Sequence, residues 1–200
     1  MKSLKLIILT AVICMVFSLL SAQAQSNDDF NQPYQSQTFE FDQKQLPNSK
    51  NYQKKWNRMT GFEYSGLHWQ QFIVVYTNIG ERVYKHNFLQ YSAWFDDPED
   101  EDNEPQYQSY PSGTSFIKEN YKMINGKPDK IESLTVMLKR DPGFNSDGGD
   151  WEYLQFNKDG VKMISGSGKD KQVNNTCASC HESVAERDYI FSNFYSGTSH

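Results

Sequence analysis

The sequence predicts a mainly antiparallel β fold, about five strands in a meander with a few helices, and two observations carry that prediction. Short segments rich in aromatic and β-branched residues recur through the middle of the chain. Gly, Pro, Asn or Asp stands between most of them, as the connections of a meander require. No internal repeat accompanies this pattern.

The chain begins with a different kind of segment. Lys2 and Lys5 precede an apolar run from Leu6 to Leu20, and Ala22-Gln23-Ala24 supplies a small-x-small cleavage pattern. Residues 1–24 therefore read as a signal peptide, too short to span a membrane, and the mature protein is expected to be periplasmic or otherwise exported. Cys14 lies inside the apolar run, so only two of the three cysteines reach the mature chain. Residues 25–50 are rich in Asn and Gln with few aliphatics and read as a flexible lead-in. The remainder, 51–200, is long enough for one domain with its own core.

Within that domain a helix is expected from Asn51 to Met59. Strands follow at 68–77 (HWQQFIVVYT), 82–95 (RVYKHNFLQYSAWF), 115–124 (SFIKENYKMI), 133–140 (SLTVMLKR) and 151–156 (WEYLQF). The segment 96–104 (DDPEDEDNE) packs seven carboxylates into nine positions and reads as a solvated hairpin tip, without the glycine and ligand spacing of a calcium loop. A second helix is expected after His181, where Val184, Ala185, Tyr189 and Ile190 recur at helical spacing.

Cleavage of the leader removes two of 20 basic residues against 25 acidic ones and deepens the net charge from −5 to −7. So acidic a chain has no electrostatic attraction for nucleic acid or for an anionic membrane. A small-molecule or redox protein fits better, and the motif at 177–181 gives that reading its content.

Cys177, Cys180 and His181 stand in the order C-x-x-C-H. A disulfide across so small a ring would staple almost nothing. Zinc would need further ligands, and only the scattered His68, His86 and His200 are obvious candidates. A thioredoxin-like pair should open a helix after a strand, whereas the polar stretch Lys169 to Thr176 reads as loop. Haem attachment uses all three residues. Each thiol can add to one porphyrin vinyl group, and His181 then lies beneath the iron as its ligand. Cys177 and Cys180 are thus the expected covalent attachments of one haem c. No methionine follows His181, and Met59, Met123, Met137 and Met163 all precede it and read equally as core residues. The iron's other coordination position is therefore expected to be open.

Three stretches, YPSGTSFIKE (110–119), MLKRDPGFNSDGGDWEYLQF (137–156) and CASCHESVAERDYIFSNFY (177–195), resemble the cytochrome P-460 family, including its relative cytochrome c-prime-beta. The matching motifs are Pro111-x-Gly113-Thr114, Lys118-Glu119, Gly149-x-Trp151 and the Asp188, Phe191, Phe194-Tyr195 tail. The resemblance implies a largely antiparallel sheet, usually a homodimer, with one five-coordinate c-type haem per chain in the domain 51–200. Its members either oxidise hydroxylamine or bind nitric oxide or carbon monoxide in an apolar pocket, and the electron-transfer partner stays unidentified. A plain periplasmic electron carrier is the alternative.

By position Lys118 matches the lysine that some members cross-link to the porphyrin. Alternation along the strand places Thr114, Phe116 and Lys118 on one face and Ser115, Ile117 and Glu119 on the other. A lysine whose stem lies on apolar surface and whose head reaches water is the other reading. Thr135 falls where hydroxylamine-oxidising members carry a carboxylate, and Glu132 is out of register with it by an odd number of residues. Alternation also offers Met137 beside Thr135, and Phe72, Val74 and Tyr76, as walls of a distal pocket. Arg82 matches an arginine that the family places near the haem.

Overall fold

The computed structural model describes residues 39, 44–66 and 70–196, apart from the side chain of Glu101. The expected signal peptide at 1–24, together with His68 and His200, lies outside the described residues. The described residues fall within the compact unit Gln37–His200. No helix among them is long and apolar enough to cross a membrane.

Among the described residues seven strands form one antiparallel sheet: β1 (Asn57–Arg58), β2 (Glu63–Ser65), β3 (Gln71–Thr77), β4 (Ser115–Ile124), β5 (Lys127–Lys139), β6 (Trp151–Asn157) and β7 (Lys162–Ser167). Their order is β1-β3-β4-β5-β6-β7, with β2 also pairing β3, so β3 to β7 form an antiparallel meander in which β3, β4, β5 and β6 match expected strands. The β4–β5 hairpin closes through Asn125 and Gly126, both at positive φ (52° and 75°), the conformation a two-residue hairpin turn demands. Strand β7 was not anticipated, because in KMISGS only Met163 and Ile164 are apolar and the rest is polar or small, without the alternation of a half-buried strand.

The largest departure is at 82–95. This segment is not a strand but lies within a helix, α2 (Glu81–Asp96). Its aromatics suggested β structure, yet Val83, Tyr84 and Asn87 are the buried residues, a helical spacing that turns one face onto the sheet. A run of 16 residues without Gly or Pro is also long for a strand. The acidic segment that follows is the loop after α2, with a short helical turn at Glu101–Asn103, and not a hairpin tip.

The expected helix over 51–59 is cut to α1 (Tyr52–Lys55). Trp56 is extended and buried, and the chain enters β1 directly. The lead-in is also anchored at its end. Phe39, Leu46 and Ser49 are 4%, 0% and 0% exposed, and the first two belong to the core. Two apolar side chains in a polar background were enough to dock it, which average composition does not show.

Both faces of the sheet are covered. Val74, Tyr76, Ile117, Leu134, Val136 and Phe156 build one core layer under Leu46, Tyr52 and Trp56. Phe116, Met137, Trp151 and Tyr153 build the other under Val83, Tyr84, Val173 and Ile190. Glu119 is buried in the first layer, where it accepts hydrogen bonds from Tyr52 Oη (2.5 Å), Tyr121 Oη (2.6 Å) and Gln53. Burial pushes its carboxyl above the usual carboxylate range, and those three donors oppose the shift.

The C-terminal segment packs on the second layer. It runs as α3 (Lys171–Val173), a π-helical turn (Asn174–Ala178), α4 (Ser179–His181) and a 3-10 stretch (Glu182–Arg187). The stretch Lys169 to Thr176 is therefore mostly helical, not loop. It follows β7, which pairs antiparallel with β6, so it does not complete a parallel βαβ unit. The helix expected to reach Ile190 stops at Arg187, because Asp188 and Tyr189 adopt left-handed conformations (φ 53° and 65°).

Candidate functional site

A cavity of about 330 Å³ lies between the second face of the sheet and the C-terminal helical segment. Strand register lays out its sheet wall. One row reads Val75, Lys118, Thr135, Gln155 across β3 to β6, and the next reads Phe116, Met137, Tyr153. Cys177, Cys180 and His181 line the same cavity from the helical side. The fold thus brings Lys118, Thr135 and the three motif residues to one space from positions up to 63 residues apart.

Two expectations fail here. Arg82 is exposed on α2 and is not among the residues lining the cavity, because the helix turns Val83 and Tyr84 inward instead. Phe72, Val74 and Tyr76 face the opposite layer, and it is Ile73 and Val75 of β3 that line the cavity. The alternation was right but the face was not, since a strand's own pattern does not say which side meets the site.

Glu132 also behaves differently from a simple parity argument. The β4–β5 register runs from Asn120↔Ser133 to Tyr121↔Ile131, which makes Glu132 the extra residue of a bulge. Its carboxylate is exposed and accepts from Gln71 Nε2 at 3.0 Å, and Gln71 lines the cavity. Among the described lining residues, Glu63 on the far side of β3 is the only carboxylate. Sequence reasoning missed it because it lies outside the region of resemblance and on a three-residue strand.

The histidine is held firmly. His181 Nδ1 lies 2.7 Å from the carbonyl oxygen of Tyr189, which can only accept, so Nδ1 carries the proton and the lone pair falls to Nε2. Its ring meets Tyr153 at 5.7 Å and Phe191 edge-on at 5.3 Å between centroids. Tyr153 and Phe191 both line the cavity. No disulfide joins Cys177 and Cys180; the first is half-buried and the second exposed. The π-helical turn that carries Cys177 widens the backbone there, a distortion that recurs at functional sites.

Lys118 sits in the cavity without a hydrogen bond or ion pair among the described residues. Burial pulls its ammonium down from 10.5 to about 8, and the neighbouring Cys177 and Cys180 thiols oppose that shift. Burial raises the Cys177 thiol, and Lys118 pulls it back. The linkage has a definite sign. Between about 8 and 10.5 the unfolded chain holds a lysine proton that the folded chain has released, so stability rises with pH across that window. In haem-free protein, thermal melts should show this rise, and Lys118→Met should remove it while leaving the variant more stable than wild type below pH 8. Equal pH profiles for the two proteins would show that the amine reaches water.

Among the described residues no group of three or more His, Cys, Asp or Glu side chains converges on a common point, and His86 sits on α2 with Nε2 against the Gln106 carbonyl at 2.7 Å. Haem attachment asks for a different set: two thiols close in sequence, an imidazole with a fixed tautomer, and an apolar space beside them. Cys177, Cys180 and His181 meet it, and the cavity falls within the roughly 300–1,000 Å³ of cofactor sites.

No curated protein sequence matches the chain. The sequence profile of the family described as Cytochrome P460 matches residues 69–192, which span the sheet wall, Lys118 and the whole C-x-x-C-H motif. The chain belongs to the cytochrome P460 family, and haem is the cofactor that membership implies.

Proposed function

We propose that the protein is an exported monohaem c-type cytochrome with an open iron position that binds or oxidises small nitrogen species, hydroxylamine or nitric oxide. The observation that carries this reading is the convergence of Cys177, Cys180, His181 and Lys118 on one largely apolar cavity. Cys177 and Cys180 would hold the haem through thioethers formed when each S–H adds across a vinyl group, and His181 Nε2 would ligate the iron. Bound there, haem would supply a redox-active iron able to take a small ligand. Ile73, Val75 and Phe116 would exclude water and favour neutral molecules over anions. A homodimer and a periplasmic location belong to the same proposal.

The side chains weigh the two forms of this function differently. Hydroxylamine oxidation releases protons, and Thr135 places a hydroxyl, not a carboxylate, in the row beside Lys118. A positioned base is typically worth about 10²- to 10⁴-fold. Wild-type turnover should therefore be slow, and Thr135→Glu should raise it. Nitric oxide binding needs no such base and is the better supported form.

One observation favours the electron-carrier alternative, namely that Met137 lines the cavity. Met59 is buried in the core and Met163 is 57% exposed, and neither lines it. Optical spectra of the ferrous protein decide. High-spin bands that respond to nitric oxide support the open site. Low-spin bands lost in Met137→Leu would establish a methionine-ligated carrier instead. The same spectra report on Lys118. A porphyrin-linked amine should red-shift the Soret band, Lys118→Ala should abolish the shift, and peptide mapping should find a third link between chain and haem.

A further inference from the structure

We infer that Asp188 is the positioning residue of the haem ligand: it locks the turn whose Tyr189 carbonyl accepts the hydrogen bond from His181 Nδ1–H, and so tunes how strongly that imidazole donates to iron. The inference rests on His181 as the iron ligand, and it concerns residues that the preceding reading leaves without a role.

The turn is held in an improbable conformation. Asp188 and Tyr189 are consecutive non-glycine residues in the left-handed region, at φ 53° and 65°. L-residues avoid that region, and it persists where the surroundings over-determine it. Here they do. The Asp188 carboxylate accepts from Lys139 Nζ at 2.6 and 2.7 Å and from the Tyr110 amide at 2.7 Å. Its own carbonyl accepts from Trp151 Nε1 at 2.9 Å. Lys139 Nζ also stands 4.9 Å from the centroid of the Trp151 ring, so the ammonium has both a carboxylate and an aromatic face. Asp188 is 8% exposed, which makes this a shielded ion pair and not a surface one.

Tyr189 is fixed in its turn. Its hydroxyl donates to the Asp147 carbonyl at 2.8 Å, and its ring lies over Gly149. A Cβ at Gly149 would come within 2.6 Å of Tyr189 Cε2, and φ there is +64°, so both space and backbone call for glycine. These anchors come from β5, from β6 and the loop leading into it, and from the segment leading into β4. The imidazole is therefore aimed by the sheet and not by the short helix that carries it. A carbonyl accepting from Nδ1–H raises the basicity of Nε2, and the firmness of that carbonyl sets how far.

The test uses the haem-loaded protein in its ferrous form. Resonance Raman spectra give the iron–histidine stretching band, and redox titration gives the midpoint potential. Asp188→Asn and Lys139→Met should each move the band to lower frequency and the potential upward, with haem content per chain unchanged. Tyr189→Phe, which loses only the Asp147 anchor, should move both in the same direction by less. Lys139→Arg, which keeps the ion pair, should stay close to wild type. Wild-type values in Asp188→Asn and Lys139→Met, whatever their stability, would overturn the inference. Should Asp188→Asn fail to fold, Lys139→Met and Tyr189→Phe decide alone. A wild type with no iron–histidine band would sink the reading of His181 as ligand, and this inference with it.

Discussion

Cys177→Ser and Cys180→Ser should each leave a haem held by a single thioether, and the double variant, combined with Lys118→Ala to remove any amine link, should lose all haem on denaturation and acetone extraction. The wild type should keep one haem mass per chain through the same treatment, read by intact mass and haem staining. The reason is chemical: a serine hydroxyl does not add to the vinyl group as a thiol does, so no partial bond replaces the missing one. Both cysteines line the cavity from within one continuous helical segment and neither is fully buried, so either substitution should leave the fold in place. The double variant should nevertheless melt lower than wild type, because a ligand bound only to the native state stabilises it. A colourless wild-type protein from a host competent in cytochrome c maturation would end the haem reading altogether.

Trp151→Ala should cost about 3–5 kcal/mol of stability, the usual range for emptying a buried aromatic site. Trp151 is 0% exposed, stands edge-on to Tyr110 at 5.9 Å and donates Nε1–H to the Asp188 carbonyl. Denaturant titration should show a lower midpoint with an unchanged slope, since the surface exposed on unfolding barely changes. Trp151→Phe keeps most of the ring volume and loses the indole donor, so it should cost clearly less. Equal losses for the two variants would show that the hydrogen bond, and not the packing, carries the stability.

Much of the fold was legible because strand alternation is local. Phe116 and Lys118 share a face, and Ile117 and Glu119 share the other, as any extended segment dictates. Residues 115–124 occupy β4 without adjustment. The helix α2 was misread because residue type was weighed above length and spacing. Its tyrosines, tryptophan and phenylalanines have strand propensity, but only packing on the sheet revealed the buried stripe of Val83, Tyr84 and Asn87. Arg82 was carried to the site by resemblance alone and fell away with the strand that was to hold it. The site itself was only partly legible: Lys118, Thr135 and Met137 were read from sequence and line the cavity, but Glu63 acquires its relevance only from the cavity it lines.

The sequence by itself pointed to haem attachment, because two thiols and an imidazole within five residues need no distant partner to suggest it. It determined which residues of a strand share a face for the same reason. The tertiary structure decided which face meets the cavity, choosing Ile73 and Val75 over Val74 and Tyr76. It also decided what a bulge does to Glu132, and that Lys139 reaches Asp188 across 49 residues to hold the turn behind His181. Such pairings depend on chain segments meeting in space, and the free energy that selects them, burial of one whole face against another, belongs to no single stretch of the chain.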